Sequence, residues 1–356
     1  MKTIATKQTK PLRAVLIGLG QIGASYGEDP KTRRYFEFAT HAEVLEQHPD
    51  FDWVGACDRS LKACDSARRR WPELTVVSDV ARLNGLEPDV AVLATGPQAR
   101  LEIVEHLPSL QGLVTEKPIG TCSQNARAFA AACEDRSLLA QVNLWRRAER
   151  AMRTLASGGL SQMIGTAQAG FVLYGRGIRN NGTHLVDACR MLLGEPTSVQ
   201  ATSQPRRIES PGVKEDFDIA FSMQFPSELT VAFQPLKFRH FRENAIEIWG
   251  TKGCYTIHQE GLVHRVFPRT DHRAMEDAAE IDRDAPCRIA NFVGRSLYDL
   301  YSNLAEALSG VCSLWSPVAS AVRTQDVVEA VIESARRNGT RMELEPCHTI
   351  PRRRAS

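Results

Sequence analysis

Short apolar runs alternate with amphipathic stretches from the start of the chain to about residue 145. Strands are predicted where aliphatic and β-branched residues cluster, and helices where apolar residues recur every three or four positions. Strands that are apolar on both faces and separated by helices predict a parallel, doubly wound sheet. The predicted strands are 13–20, 53–58, 89–95, 112–117 and 139–145, with helices at 61–71, 99–107 and 123–136.

The pattern changes after Trp145 to one helix, near 147–159, and then to longer runs of period two. Consecutive strands with short connections indicate a largely antiparallel sheet. Two more helices, 290–309 and 317–337, precede a short strand at 341–344. We therefore expect an α/β Rossmann domain at 1–145, an α+β domain with an open, mainly antiparallel sheet at 146–345, and a basic tail at 346–356.

Composition and charge restrict the class of protein. The 356 residues are 43% hydrophobic and 24% charged with a net charge of +2, which is typical of a globular enzyme and indicates no nucleic-acid partner. No apolar run reaches the ~18 residues of a membrane span. Nine cysteines include no C-x-x-C pair, which favours free thiols in a reducing compartment and a cytoplasmic location. The nine histidines show no spacing that predicts a metal site.

The sequence GLGQIG at 18–23 matches the pattern G-x-G-x-x-G between a predicted strand and an apolar helical start. In this motif the first glycine permits a tight turn, the second lets a pyrophosphate approach the backbone, and the third permits close packing of helix on strand. The N–H groups at the helix start would face the phosphates. The motif predicts a dinucleotide cofactor at Gly18, Gly20, Gln21, Ile22 and Gly23.

An acidic residue, Asp58, follows the second predicted strand. It lies further from the glycines than the usual ~20 positions, and we interpret residues 26–40 as an insertion. A carboxylate here can accept the adenosine ribose hydroxyls, which favours NAD. Arg59 could instead pair with a 2′-phosphate, so NADP remains an alternative. Asp58 could also serve as the N-cap of the next helix.

The sequence TEKPIG at 115–120 places a lysine where a buried parallel strand ends. Ligands bind at this edge of such a sheet, and a lysine ammonium there can polarise a substrate hydroxyl. Pro118 ends the strand after the lysine. The alternative is a surface ion pair between Glu116 and Lys117. Residues expected to contact the cofactor at this edge are Thr95, Gly96, Glu116 and Lys117.

The glycine loop, the acidic strand end, EKP and the helix of GIRNNGTHLVD together resemble the glucose–fructose oxidoreductase / inositol dehydrogenase / rhizopine-catabolism (Gfo/Idh/MocA) family. The resemblance covers essentially the whole chain, including VNLWRR, IEIWGTKGCYTI and VVEAVIESARRNGTRMEL. It implies the two domains above, a bound NAD(P), and redox chemistry at a carbinol of a sugar, cyclitol or nucleotide sugar. It also implies a homodimer or homotetramer.

In the family, catalysis uses the EKP lysine, a histidine that opens this helix, and a carboxylate four residues before the histidine. Carried over, these positions are Lys117, His184 and Asn180, so an amide stands in place of the carboxylate. The resemblance then implies His184 as general base or acid, Lys117 as polarising donor, and Asn180 as a group that orients a substrate hydroxyl. A helix N-terminus favours neutral imidazole at His184. Asp187 is expected to be structural and to pair with Arg190.

Cations near the predicted domain junction are candidates for binding an anionic substrate. Surface solubility is the alternative for at least half of them. A departure from the family pattern lies in ATGPQARLE at 94–102, which lacks the histidine often found there. The predicted substrate-binding residues are Lys117, Arg147, Tyr174, Arg179, Asn180 and His184.

Three functional hypotheses remain open from the sequence. The first is an NAD(P)-dependent sugar or cyclitol dehydrogenase or reductase. The second is a lyase or glycosidase that oxidises its substrate transiently without net redox change. The third is a dinucleotide-binding sensor or scaffold without turnover. Asn180 favours the third hypothesis, whereas Lys117 and His184 favour an enzyme.

Overall fold

The computed structural model describes residues 10–28, 30–210, 213–226, 228–271 and 278–346. Its contacts divide the chain into a first unit, Met1–Glu149 with Phe292–Val322, and a second unit, Arg150–Asn291 with Arg323–Ser356. The predicted basic tail beyond position 346 lies outside the described residues. Within the described ranges, no helix is long and apolar enough to cross a membrane.

A six-stranded parallel sheet forms the centre of the first unit, as the alternating pattern predicts. Its strands are β1 (Leu12–Ile17), β2 (Phe51–Cys57), β3 (Thr75–Val77), β4 (Val90–Leu93), β5 (Gly112–Thr115) and β6 (Leu139–Val142). The order is β3-β2-β1-β4-β5-β6, so the direction of winding changes between β1 and β4. Ligands bind such sheets at the carboxyl ends of the strands beside that change.

The α-helices differ widely in length, from four to 19 residues. Those of the described residues are α1 (Pro30–Arg33), α2 (His41–Gln47), α3 (Leu61–Arg70), α4 (Arg100–His106), α5 (Ser123–Asp135), α6 (Arg150–Thr154), α7 (Leu160–Ile164), α8 (Thr183–Leu193), α9 (Ser296–Leu308) and α10 (Val318–Arg336). π-Helical turns lie at Gln21–Ser25, Leu155–Gly159 and Gly177–Gly182, and 3-10 turns at Tyr26–Glu28, Val80–Leu86, Pro97–Ala99, Trp145–Arg147, Gln259–Gly261 and Val293–Arg295.

The first unit differs from the sequence prediction in two local features. β3 has only three residues and was not among the predicted strands. The helix after the glycine loop is the five-residue turn Gln21–Ser25 and not a full amphipathic helix. Gly27 and Pro30 disfavour its continuation, because glycine lacks helix propensity and proline lacks a backbone N–H. In the described part of the insertion inferred at 26–40, the turn Tyr26–Glu28 and α1 are the helical elements that precede α2.

Residues 292–322 lie in the first unit, although the sequence assigned them to the domain at 146–345. The reason is the apolar face of α9. Leu297, Leu300, Tyr301 and Leu304 are buried in the same cluster as apolar side chains of β1, β4 and β5. Each fully buried side chain of this kind contributes about 1.5–3 kcal/mol. The segment therefore packs on the parallel sheet of the first unit, although that sheet is formed by residues much earlier in the chain.

The second unit contains an open and mainly antiparallel sheet, as predicted. Its strands are β7 (Ala167–Gly175), β8 (Ser198–Ala201), β11 (Phe221–Gln224), β12 (Thr230–Leu236), β13 (Ala245–Gly250), β14 (Gly253–His258), β15 (Val263–Thr270), β16 (Glu280–Ile281), β17 (Cys287–Ile289) and β18 (Met342–Glu343), while β9 (Arg206–Ser210) and β10 (Val213–Asp218) form a separate hairpin. Only the β7–β12 pair is parallel among the described strands of this sheet.

One face of the second sheet is covered by α8 and α10. Leu185 and Val186 of α8, with Val331 and Ile332 of α10, belong to one buried cluster with side chains of β7, β11, β12 and β13. On the opposite face Phe171 of β7 is 44% exposed. The alternation along β7 therefore separates a covered face from an open one.

Candidate functional site

The glycine loop has the backbone geometry that its motif predicts. Gly18 has φ = +100°, and a β-carbon there would lie 2.6 Å from the carbonyl oxygen of Ala94. A β-carbon at Gly23 would overlap the carbonyl oxygen of Gly18. Gly20 is exposed, and apart from its two chain neighbours no heavy atom of the described residues lies within 4 Å of the position its β-carbon would take. The loop thus combines two sterically required glycines with one open backbone position.

Gln21 and Ile22 continue from this open position into the π-helical turn. Gln21 is exposed and Ile22 is half-buried. The sequence predicted a cofactor contact for both. Their place after Gly20 keeps them beside the open backbone, and their role in binding remains a prediction.

Asp58 is fixed at the carboxyl end of β2 by the glycine loop itself. Its Oδ2 accepts a hydrogen bond from the N–H of Leu19 at 2.8 Å, and its Oδ1 accepts one from the N–H of Ser60 at 2.8 Å. Ser60 is the N-cap of α3, because its hydroxyl accepts from the N–H of Ala63. The alternative in which Asp58 caps this helix is therefore wrong. Each carboxylate oxygen retains a lone pair for a further donor.

The surroundings of Asp58 also contain positive charge. Arg59 is exposed. A cavity of about 280 Å³ lies next to the loop and is lined by Leu19, Ala24, Ser25, Ser60, Lys62, Ala63, Ser66, Ala67, Arg70 and Trp71. Basic and hydroxyl groups at the end of β2 are groups that could receive a 2′-phosphate, so the alternative of NADP remains open.

Thr95 and Gly96 lie just beyond β4. The hydroxyl of Thr95 is buried and has no hydrogen-bond partner among the described residues. Gly96 is exposed and precedes the turn Pro97–Ala99. Buried hydroxyls in folded proteins nearly always have a partner, so a ligand group at this edge of the sheet would satisfy Thr95.

Lys117 is half-buried two residues beyond the end of β5. The peptide bond between Lys117 and Pro118 is cis. Lys117 attracts the carboxylate of Glu116, which it follows in the chain. The carboxylate of Glu116 is turned into the protein, so the alternative of a simple surface pair between the two does not hold.

Glu116 accepts two hydrogen bonds at the same oxygen. The donors are Nε2 of His41 at 3.1 Å and Nδ2 of Asn143 at 2.5 Å. The other ring nitrogen of His41, Nδ1, lies 2.8 Å from the hydroxyl of Tyr301. The two ring nitrogens of His41 thus connect Glu116 to Tyr301 in one chain of buried groups.

This network sets the charge of Glu116. Burial by itself raises the pKa of a carboxyl group, but the hydrogen bond and charge of His41, the hydrogen bond of Asn143 and the ammonium of Lys117 outweigh it, so the pKa of Glu116 lies below its ordinary value. Burial, and then the charge of Glu116, raise the pKa of Tyr301. Glu116 is therefore a carboxylate and Tyr301 a neutral phenol.

In the second unit, Asn180 and His184 lie on continuous helical backbone. Asn180 belongs to the π-helical turn Gly177–Gly182, and His184 lies in the first turn of α8. Gly182 between them has φ = −54° and ψ = −38°, which is ordinary right-handed helix. Both side chains are half-buried. The predicted spacing of one helical turn is preserved, although the turn with Asn180 is wider than an α-helical one.

A residue that the sequence analysis missed, Asp216 of β10, holds this turn. Its side chain is fully buried. Oδ1 accepts from the N–H of Arg179 at 2.9 Å and from its neighbour Phe217 at 2.8 Å, and Oδ2 accepts from the N–H of Asn180 at 3.1 Å. Gly177 has φ = +85°, and a β-carbon there would overlap the carboxylate. One buried carboxylate therefore fixes the backbone that carries Asn180.

A second carboxylate, Asp218, supports the start of the same turn. It accepts from the N–H of Gly177 at 3.2 Å and from the guanidinium of Arg206. Burial raises the pKa of Asp218, with Arg206 and the Gly177 N–H acting in the opposite direction. The acidic residues in VKEDFD could have been noticed in the sequence, but their partners in the turn Gly177–Gly182 lie 36 to 41 positions away.

Tyr174 does not have the predicted position for substrate contact. It is fully buried, and its hydroxyl donates to the carbonyl of Ile219 at 2.6 Å and accepts from the Ile219 N–H at 3.0 Å. Burial raises the pKa of Tyr174 well above its ordinary value. The substrate-binding prediction for Tyr174 is wrong because the alternation of β7 directs this side chain to the covered face.

The predicted cations have several different surroundings. Arg179 forms a forked ion pair with Glu329 of α10, in which Nη2 lies 2.8 Å from Oε2. Arg146 is buried with its guanidinium 4.1 Å from the ring of Trp145, whereas Arg147 is half-buried. Arg179 is therefore already neutralised by the protein, and Arg147 is the less enclosed of the two neighbouring arginines.

Asp187 has the structural role that the sequence predicted. It is buried, its Oδ1 accepts from the hydroxyl of Thr324 at 2.8 Å, and Nη1 of Arg190 lies 3.5 Å from the same oxygen. Arg190 also pairs with Glu195. Asp187 thus fastens α8 to α10. The described residues contain no cluster of potential metal ligands.

The features above define a protein with a Rossmann-type unit and an open-sheet α+β unit. Residues 167–256 match the model of the GFO/IDH/MocA C-terminal domain. This match lies within the second unit, and the resemblance to the Gfo/Idh/MocA family inferred from the sequence is confirmed. No curated protein sequence matches the chain.

Solved structures of this fold match nearly the whole chain. A levoglucosan dehydrogenase in complex with NADH and levoglucosan is 16% identical with a TM-score of 0.74, and the match covers 95% of this chain and 100% of that one. An oxidoreductase from Agrobacterium radiobacter in complex with NAD+, L-tartaric acid and magnesium is 18% identical with a TM-score of 0.71, covering 94% and 98%. The WlbA dehydrogenase from Bordetella pertussis in complex with NADH and UDP-GlcNAcA is 17% identical with a TM-score of 0.69, covering 95% and 100%.

Proposed function

We propose that this protein is an NAD-dependent oxidoreductase that transfers a hydride between nicotinamide and a carbinol carbon of a sugar, cyclitol or nucleotide sugar. The observation that carries the proposal is the loop at Gly18, Gly20 and Gly23, with one open backbone position at the carboxyl edge of a parallel sheet. Lys117 follows a strand of the same sheet. Three structural relatives that hold NAD+ or NADH support the cofactor.

The residues present fit a dinucleotide at several independent points. The buried hydroxyl of Thr95 and the buried amide oxygen of Asn143 have no partners among the described residues, and both follow strands of the parallel sheet. Asp58 is oriented by two backbone N–H groups and keeps acceptor capacity for ribose hydroxyls. These unsatisfied groups are what a polar cofactor would satisfy.

The catalytic roles follow from the chemistry of the side chains. A bound nicotinamide accepts or supplies the hydride. Lys117 donates a hydrogen bond to the reacting oxygen and stabilises the charge that develops there. His184 takes up or returns the hydroxyl proton. Asn180 carries an amide and orients a neighbouring hydroxyl, so the proton transfer rests on His184 and Lys117 alone.

The polyhydroxylated substrate class is supported by the ligands of the relatives. Levoglucosan and UDP-GlcNAcA occupy two of them, and L-tartaric acid a third. Arg147 is the proposed contact for an acidic or phosphorylated part of the substrate, because Arg179 is paired with Glu329.

We further propose a homodimer or homotetramer and a cytoplasmic location for the protein.

The test is reduction of NAD at the absorbance of the reduced nicotinamide, with a panel of sugars, cyclitols and nucleotide sugars. We expect turnover with at least one member, and its loss in both Lys117→Ala and His184→Ala. Product formation without net NADH would instead indicate a lyase or glycosidase with transient oxidation. NAD binding without turnover of any panel member would contradict the proposal and indicate a sensor or scaffold.

The preference for NAD rests on Asp58 and has its own control. NAD and NADP are compared by the ratio of kcat/KM in the native protein and in Asp58→Ser. We expect native preference for NAD and a decrease of that preference by about ten-fold or more when the carboxylate is removed, because it repels a 2′-phosphate. Arg59→Ala provides the opposite comparison, since Arg59 is the nearest residue in sequence that could bind the phosphate.

A further inference from the structure

Arg100, the first residue of α4, is a fully buried arginine that none of the proposed roles uses. Its side chain is 1% exposed. Nη1 donates to the carbonyl oxygen of Pro118 at 2.6 Å and of Ile119 at 3.3 Å, and Nη2 donates to the carbonyl of Thr95 at 2.9 Å. All three acceptors are backbone oxygens in loops at the carboxyl edge of the parallel sheet.

The two loops held by Arg100 follow neighbouring strands. The parallel pairing of β4 with β5 ends at Leu93 and Thr115. Beyond that pair the N–H of Glu116 still donates to the carbonyl of Leu93 at 3.2 Å. The guanidinium of Arg100 then connects the loop after β4 to the loop after β5 where the strand ladder has ended. It acts as a side-chain extension of the sheet, placed directly after Lys117.

A cation in this position is costly unless it is hydrogen-bonded. Burial lowers the pKa of the Arg100 guanidinium to about 10, while the charge of Glu116 acts in the opposite direction. Arg100 therefore remains protonated at neutral pH. Its Nε is buried without a partner among the described residues. A leucine or methionine would fill the space without these costs. The three hydrogen bonds to carbonyl groups therefore explain best why position 100 carries a charge.

We propose that Arg100 is a positioning residue that fixes the backbone on both sides of the cofactor edge and thereby places the ammonium group of Lys117. The proposal rests on the catalytic role of Lys117 proposed above. Glu116, held by His41 and Asn143, fixes the chain before Lys117, and Arg100 fixes it immediately after. Lys117 is thus held between two anchored residues.

The chain offers a matched control in Arg136. Its guanidinium also donates to three backbone carbonyls, those of Val104, of Leu107 at 2.9 Å and of Pro108 at 3.2 Å. These lie at the opposite end of α4 from Arg100. Arg136→Met and Arg100→Met therefore remove the same kind of contact from the two ends of one helix. Only Arg100→Met should affect Lys117.

The first measurement requires no substrate. Lysines of the full-length protein are reductively methylated with ¹³C-formaldehyde, and the resonance of Lys117 is identified by its loss in Lys117→Arg. We expect a displaced or broadened Lys117 resonance in Arg100→Met, a smaller displacement in Arg100→Lys, and the native position in Arg136→Met. A native Lys117 resonance in folded Arg100→Met would overturn the proposal, as would an equal displacement in Arg136→Met.

The second measurement uses the substrate found by the panel. Because misplacement of a catalytic group by about 1 Å costs up to ~10²-fold in rate, we expect kcat to fall about 10- to 100-fold in Arg100→Met. The KM for NAD should change less than about three-fold. A rise in the KM for NAD with native kcat would overturn the positioning role of Arg100. If Arg100→Met does not fold, Arg100→Lys decides in both measurements, and a native resonance with native kcat overturns the proposal.

The two measurements separate failure of this inference from failure of the proposed function. A displaced Lys117 resonance without turnover of any substrate by the native protein would leave Arg100 as the anchor of Lys117 and contradict only the oxidoreductase activity. Turnover with an unchanged Lys117 resonance would contradict the role of Arg100 and leave the activity in place.

Discussion

Replacement of Asp216 by asparagine tests whether the turn that carries Asn180 is held by one buried carboxylate. Asp216→Asn keeps the shape of the side chain and one oxygen. That oxygen can still accept from the N–H groups of Arg179 and Phe217, which both bond to Oδ1 in the native protein. The new amide nitrogen then faces the N–H of Asn180, which donates to Oδ2 at 3.1 Å. Two donors meet, and that hydrogen bond is lost.

The expected loss of stability in Asp216→Asn follows from the number and kind of hydrogen bonds that are lost or weakened. Loss of one hydrogen bond to a charged acceptor costs about 1.5–3 kcal/mol. The two bonds that remain become neutral, and neutral bonds have roughly half the strength of charge-assisted ones. The smaller cost of burying an amide offsets part of the loss. We therefore expect the turn Gly177–Gly182 to lose about 2–4 kcal/mol of local stability.

Hydrogen exchange measured by mass spectrometry is the direct assay. A local loss of about 2–4 kcal/mol corresponds to about 30- to 1,000-fold faster exchange of the amides of Arg179 and Asn180. The matched control is Tyr174→Phe, which removes two hydrogen bonds to Ile219 in the same unit and leaves Asp216 intact. With a substrate in hand, kcat should fall strongly in Asp216→Asn and little in Tyr174→Phe.

Two results would refute this reasoning about Asp216. Native exchange rates at Arg179 and Asn180 in Asp216→Asn would show that other contacts hold the turn. An equal loss of kcat in Tyr174→Phe would show that activity follows general stability of the second unit and not the position of Asn180.

Three further predictions concern ionisable groups. Asn180→Asp adds a carboxylate to a residue whose backbone N–H already donates to the buried carboxylate of Asp216, and a nearby like charge raises the pKa of a carboxyl group; the acid limb of the kcat–pH profile should therefore move to higher pH, and an unmoved limb would contradict this. His48 is buried with a pKa lowered to about 4, chiefly by burial, so the unfolded state binds more protons between about pH 6.5 and 4. Urea unfolding should show up to about 3 kcal/mol lost as the pH falls through that window, and much less in His48→Gln. Since the pKa of Glu116 is lowered, its contribution to the free energy of unfolding is complete above about pH 4.3 and is lost below it. In Glu116→Gln the free energy of unfolding should therefore fall less steeply with acid below about pH 4.3, and an unchanged fall would exclude the pairing of Glu116 with His41 as its source.

The part of the site that could be predicted from sequence is local in the chain. Gly18 and Gly23 are required by backbone geometry within a single turn, and that requirement is visible as spacing. Lys117 was placed correctly at the edge of the parallel sheet because an apolar run followed by proline marks the end of a strand. Asp58 was found in the same way, at the end of β2.

The groups that hold these residues could not be predicted, because their partners are remote in the sequence. His41 meets Glu116 and Tyr301, which lie 75 and 260 positions away. Asp216 meets Asn180 across 36 positions. No periodicity records such a pairing. Their only local signals were a histidine at a helix start and a cluster of acidic residues, and both patterns are common on protein surfaces that bind nothing.

The sequence by itself determined the two domains with their kinds of sheet, the glycine loop, and the positions of Lys117 and His184 on their secondary-structure elements. These follow from steric limits and hydrophobic periodicity over a few residues. The tertiary structure alone decided that α9 packs in the first unit, that the hydroxyl of Tyr174 bonds to the backbone of Ile219, and that Arg100 connects the loops beyond β4 and β5. Each of these features depends on which apolar surface or polar group lies nearest in the folded protein. Distances in space between residues remote in the chain cannot be read from the order of the sequence.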